Sequence, residues 1–166
     1  MKEKIEHAKF IISRYDTYIE STQTKSNLYL ALNTAIIAGI ITLVSATKPE
    51  QFSLLSLIVL GLVSMLAVLS ITLTLIAINP YLKSASKKSD SIIFFNEVSS
   101  YDFEMYAKKV DDISDKKLLK DLNCQAFSLA TALKGKYQKL YYAGRILIFE
   151  FALLFIYVIL LITKTI

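Results

Sequence analysis

Three runs of residues free of charge interrupt an otherwise polar chain. The first lies between Lys25 and Lys48 and holds 22 uncharged residues, among them Leu28, Leu32, Ile36, Ile37, Ile40, Ile41 and Val44. The second lies between Glu50 and Lys83, holds 32 uncharged residues and has its apolar centre from Leu54 to Ile78. The third runs from Ile146 to Ile162, is broken by Glu150 and ends against Lys164. A bilayer core about 30 Å thick is crossed by roughly 20 apolar residues of helix. The runs therefore predict spans at about 27–46, 54–78 and 146–163. The second is longer than a bilayer requires, so it tilts or extends past the interface. Some 25 polar residues precede the first, which makes it an uncleaved anchor rather than a signal peptide.

The polar segments carry a helical period of their own. Ile5, Ala8, Ile12, Tyr15, Ile19 and Thr22 step by three and four, the spacing of a seam between packed helices. No Gly or Pro stands before Gly39, so one helix can run from about residue 3 to 46, on the order of 65 Å at about 1.5 Å per residue. At the other end Ser114 is a natural N-cap with Asp115 in the first turn. From there Leu122, Ala126, Leu129, Leu133, Lys136 and Leu140 repeat the seam, and the helix enters the membrane at about residue 146. Gly135 and Gly144 weaken it by about 1 kcal/mol each relative to Ala. Between the two long helices, Asn79-Pro80 ends the second span. Ser84, Ser86, Lys87, Lys88, Ser89 and Asp90 read as a solvated loop, and Ile92, Ile93, Phe94 and Phe95 form an apolar patch too short to span. That patch packs on a bundle or lies at the lipid interface, and a helix is predicted over about 101–112, carrying Phe103, Tyr106 and Val110. The predicted fold is a single all-α domain, 1–166: an integral membrane protein with three transmembrane helices and a cytoplasmic helical bundle, at 1–25 and 83–145, built from helices continuous with the spans.

Composition agrees with this pattern. Hydrophobic residues make up 54% of the chain and the mean hydropathy is positive, more than a soluble domain of 166 residues can bury. Four Gly and two Pro leave little punctuation for β-turns. Charge adds orientation. Residues 1–25 hold five basic residues and residues 83–145 another twelve, leaving only Lys48 and Lys164 elsewhere. The positive-inside bias then places the N-terminus and 83–145 in the cytoplasm and the C-terminus outside, with a tight outer hairpin at Lys48, Pro49 and Glu50. The same bias accounts for the net charge of +5 without a nucleic-acid partner.

Chemistry narrows the function further. A lone Cys124 makes no internal disulfide, and a lone His7 supports neither a zinc site nor an activated nucleophile. Asp111, Asp112 and Asp115 flank a helix boundary, where acids commonly cap, rather than forming a metal site. No phosphate loop of the Walker kind is present, so neither an enzyme nor a bound cofactor is expected. Helices continuous across the water–membrane boundary suit a sensor, because a ligand that moves their outer halves also moves their membrane halves. They equally suit a rigid stalk.

Arg14-Tyr15-Asp16-x-Tyr18-Ile19-x-Ser21 through Thr24-Lys25-Ser26-Asn27 and Asn33, then Phe94-Phe95-Asn96, then Asp121-Leu122-x-x-Gln125 with Leu129-Ala130 and Lys136-Tyr137, resembles the Pycsar transmembrane effector domain over nearly the whole chain. Where that pattern has an acidic residue or Asn before the lysine and Ala after it, this chain has Thr24 and Ser26. The resemblance implies an antiviral, antiphage effector of the bacterial inner membrane. In such systems a nucleotide cyclase makes a cyclic pyrimidine nucleotide on infection, and the effector compromises the membrane in an abortive response.

A cyclic nucleotide calls for a cation, amide or hydroxyl partners and an aromatic face. Lys25, Asn27, Asn96, Gln125, Lys136 and Tyr137 offer these near the expected cytoplasmic boundary. Each has an ordinary alternative: Lys25 snorkelling to headgroups, Gln125 and Lys136 setting helix register. Asn33 is placed to hydrogen-bond a neighbouring helix. Glu150 is either the lining of an ion path or an interfacial acid paired locally, with Arg145 five residues before it. The leading expectation is a nucleotide-gated effector that assembles as a homo-oligomer in the lipid bilayer. A ligand-independent, holin-like pore former and a membrane scaffold subunit are the alternatives.

Overall fold

The computed structural model describes residues 1–48, 51–80 and 90–164. The expected hairpin residues Pro49 and Glu50, and the loop residues Ser84 and 86–89, lie outside the described residues. Among the described residues five helices follow one another: α1 (Lys2–Ala46), α2 (Leu54–Ile78), α3 (Phe95–Val98), α4 (Phe103–Asp111) and α5 (Asp115–Lys164). No strand occurs among the described residues. Three of the helices, α1, α2 and α5, are long and apolar enough to cross a membrane, so the fold is the all-α, three-span arrangement that the uncharged runs predict. Helix α2 covers the same residues as the second apolar run. Ser53 caps its start, its hydroxyl accepting the Ser56 amide at 3.1 Å.

The chain forms two compact units, Met1–Ser21 with Pro80–Gly135, and Thr22–Asn79 with Lys136–Ile166. Both α1 and α5 contribute to each, as the unbroken seams require. In the first unit Ile5, Ala8 and Leu122 form the buried core, with Ile12, Ile93, Leu118 and Leu119 packed against it. The seam spacing is thus realised as burial. Residues 91–94 follow no regular element, yet side-chain oxygens engage all four of their amides. Glu97 accepts Ser91 N at 3.1 Å, Asp121 accepts Ile92 N at 2.9 Å, and Ser91 Oγ accepts Ile93 N at 3.1 Å and Phe94 N at 2.9 Å. Phe94 turns inward and Phe95 outward. The apolar patch is therefore a pinned turn of the first unit with one ring buried, opening into a single turn of helix. The predicted 101–112 helix is α4, opened by Asp102, which accepts Met105 N at 2.7 Å. Ser114 opens α5, its carbonyl accepting Leu118 N at 2.9 Å.

In the second unit three helices pack along seams. Lys25 meets Tyr137, Asn33 meets Ser70, Ser70 meets Ala143, and Lys136 meets Ala77. These pairs run α1 parallel to α5 and α2 antiparallel to both. Ile36, Val59, Leu60, Val63, Leu147 and Tyr157 form the apolar core. Leu54, Met65, Phe149 and Phe155 point outward, as lipid-facing side chains do. Gly144 on α5 admits the ring of Tyr29, whose hydroxyl lies 2.7 Å from where a Cβ would stand. That contact explains a helix-weakening residue inside a long helix. Ser26 is buried on the α1 seam and donates to Thr22 O at 2.8 Å, so its hydroxyl is satisfied within its own helix.

Candidate functional site

The first unit contains a cavity of about 560 Å³, within the range of small-molecule sites. Its wall combines the turn at 90–94, the end of α4 and the first four turns of α5. Lys117, Lys120, Asp121, Cys124, Gln125 and Ser128 enter from α5 at steps of three and four, so one helix face supplies half of the polar lining. Lys108 and Lys109 enter from α4, Asp90 and Ser91 from the turn, and Phe94 supplies a buried ring. Four lysines line it together with three aspartates, Asp90, Asp112 and Asp121.

The acids are partly occupied. Asp121 holds Ile92 N, and Asp90 pairs with Lys109, whose ammonium also lies 4.6 Å from the centre of the Tyr101 ring. Burial, then the neighbouring Glu97 and Asp121 carboxylates, pushes the Tyr101 hydroxyl above the ordinary tyrosine value. Lys108, Lys117 and Lys120 make no ion pair among the described residues. The cavity therefore offers cations without dedicated partners beside an amide and two hydroxyls, the donor set for an anion that carries hydrogen-bonding edges.

The six ligand candidates read from the sequence are divided between the units. Gln125 is half-buried and lines the cavity, while Asn96, on α3 of the same unit, is exposed and outside its lining. The other four belong to the second unit. Lys25 is exposed with its ammonium 5.3 Å from the centre of the Tyr137 ring, a cation–π pair joining α1 to α5. Asn27 is exposed. Lys136 is engaged by the backbone: its ammonium donates to the carbonyls of Ala77, Ile78 and Asn79 at 2.7, 3.2 and 3.1 Å. This places a cation at the C-terminal end of α2, where unpaired carbonyls and the helix dipole attract it. Burial, then Lys139, lowers its pKa from the usual lysine value.

The two membrane candidates occupy the seam of the second unit. Asn33 is fully buried and ties three helices, its amide donating to Tyr29 O at 2.8 Å and to Ser70 Oγ at 3.1 Å while Ser70 donates to Ala143 O at 3.2 Å. Glu150 is also fully buried, and neither carboxylate oxygen has a hydrogen-bond partner. Arg145 sits instead over the Tyr141 ring at 5.5 Å, so of the two alternatives for the acid, local pairing is not what the structure contains. An unpartnered polar group in an apolar interior costs on the order of a few kcal/mol.

The cavity lysines escaped sequence reasoning. Lys117 and Lys120 share a helix face with Gln125, a legible signal, but Lys108 and Asp90 join them only through folding.

The sequence profile described as the Pycsar effector protein domain matches residues 7–163. The Pycsar effector protein EcPycTM of Escherichia coli is 30% identical over 145 residues, covering 82% of this chain and 78% of that protein. No solved structure matches.

Proposed function

We propose that this chain, which belongs to the Pycsar effector family, is an antiphage effector of the bacterial inner membrane. It binds a cyclic nucleotide in the cavity of its first unit and permeabilises the bilayer through its second. The observation that carries this reading is the cavity lined by Lys117, Lys120 and Gln125, on the same helix that continues as the third span.

Lys117, Lys120 and Lys108 hold the cyclic phosphate as point charges. Gln125 and Ser128 offer the donors and acceptors that a base or ribose edge reads, and Phe94 offers an apolar face. A nucleotide that draws α4 and the 90–94 turn toward α5 changes the packing of a helix that cannot bend locally without losing hydrogen bonds. The change is thereby passed along its length. The positive-inside bias supports a cytoplasmic N-terminus and 83–145 segment with the C-terminus outside. That orientation exposes the cavity to a nucleotide made in the cytoplasm by a partner cyclase. The outward apolar side chains of the spans face lipid or further copies of the chain in a homo-oligomer. No catalytic group is required, and the chain acts as a receptor rather than an enzyme.

Nucleotide binding to the detergent-solubilised full chain tests this. Titration with 3′,5′-cyclic UMP, CMP, AMP and GMP is expected to give saturable binding of one of them, weakened at least about tenfold in the double variant K117A/K120A, the effect of removing charge-assisted contacts. Equal binding by that variant and the unaltered chain would contradict the site.

A further inference from the structure

Along α5 the buried positions Ala143, Leu147, Glu150 and Tyr157 face the seam of the second unit. Ala143, Glu150 and Tyr157 are seven residues apart, which places them about 10.5 Å apart along one face. The Ala143 carbonyl accepts from Ser70, which in turn accepts from Asn33. Polar atoms therefore stand at three levels of one interior, over about 21 Å along α5.

What distinguishes this row is how it is satisfied. Hydroxyls on the same seams are used up within their helices: Ser26 donates to Thr22 O and Thr74 to Ser70 O, each at 2.8 Å. The row itself is left open. Asn33 Oδ1, both Glu150 oxygens and Tyr157 Oη are buried with no partner among the described residues. A polar layer kept only to hold helices together satisfies its atoms, as the Asn33–Ser70–Ala143 clamp does on its donor side. Orphaned oxygens at three levels have a use only when something else arrives to donate to or coordinate them. All are acceptors or hydroxyl oxygens, and one group is an acid, the chemistry that attracts water and monovalent cations.

We propose that the Asn33, Glu150 and Tyr157 oxygens line a path for monovalent cations through the second unit once its helices separate, with Glu150 as the residue that rejects anions. This rests on the proposed permeabilising function and deepens it, because the lesion becomes a cation-selective conductance rather than an unselective tear. Hydration of the row stabilises the open form. Ionisable groups inside a membrane bundle mark such pathways.

The test uses the full chain in planar bilayers under a potassium chloride gradient, with and without each of the four cyclic nucleotides. The reversal potential gives the ratio of potassium to chloride permeability. The unaltered chain is expected to favour potassium, and E150Q, which keeps the side chain's shape and removes its charge, to lower the ratio about tenfold or more, as one charge in a narrow passage commands. Retained helicity of E150Q by circular dichroism excludes misfolding as the cause, and N33L is expected to lower cation current without reversing selectivity. An unselective current, or a ratio unchanged in E150Q, overturns the cation path and leaves the gated effector standing. Current without nucleotide overturns gating alone and still reads the selectivity. No current under any condition overturns the permeabilising function and this path with it.

Discussion

The two units of this protein use their polar side chains differently. In the first, Asp121, Glu97, Ser91 and Asp102 each hold backbone amides, so an irregular turn and the start of α4 are locked by side chains. In the second, Asn33, Glu150 and Tyr157 leave oxygens unpaired, and every buried side-chain polar atom without a hydrogen bond among the described residues lies there. A receptor gains from a fixed wall whose cations wait for a ligand. A device that must open gains from a closed state that is not fully satisfied. Under the proposed function, the difference teaches that the same long helices are pinned by side chains on the receptor side and left with unpaired oxygens on the side that opens.

Substitutions of opposite sign break or sharpen the contrast. The largest effect is expected at Glu150. Replacing it by Leu removes a buried unpartnered acid and is expected to stabilise the solubilised protein by about 2–3 kcal/mol while abolishing membrane leakage. Thermal unfolding and dye release measure the two. In the first unit Asp121→Ala acts in the other direction. It frees the Ile92 amide and is expected to destabilise by about 1–2 kcal/mol and weaken nucleotide binding, read by unfolding and titration. A destabilising Glu150→Leu would erase the contrast.

Within the cavity, Gln125→Ala is expected to cost about tenfold in nucleotide affinity, roughly 1.4 kcal/mol. Lys136→Ala is expected to leave affinity unchanged while loosening the end of α2, because its ammonium is held by three carbonyls. Titration of both variants against the same nucleotide separates recognition from capping. The smallest effect lies in two glycines of α5. A Cβ at Gly135 meets nothing, so Gly135→Ala is expected to gain about 1 kcal/mol from helix propensity. Gly144→Ala gains less, since Tyr29 must move first. Paired thermal melts compare them.

The three helices long and apolar enough to cross a membrane were legible because bilayer thickness fixes the length of apolar run to look for. The uncharged run that reads as 54–78 is α2 to the residue. The long terminal helices were legible from the seam spacing of Ile5, Ala8 and Leu122, which became the first unit's core. What remained hidden depends on contacts distant in sequence. Lys136 reads as a ligand cation because nothing near it in the chain reveals the carbonyls 57 to 59 residues away that occupy it. The cavity assembles lysines from α4 and α5 with a turn held by Asp121, 29 residues from its amide, so only its Gln125 was visible beforehand. Glu150 was legible as an intramembrane acid, but the identity of its neighbours, and hence its lack of a partner, belongs to the packing.

Membrane potential recorded by dye in proteoliposomes containing the full chain, with and without the four cyclic nucleotides, tests the link between the two units most directly. Depolarisation by one nucleotide, lost in K117A/K120A and retained in K25A, is the predicted result; depolarisation of equal rate without nucleotide, or none under any condition, would contradict it.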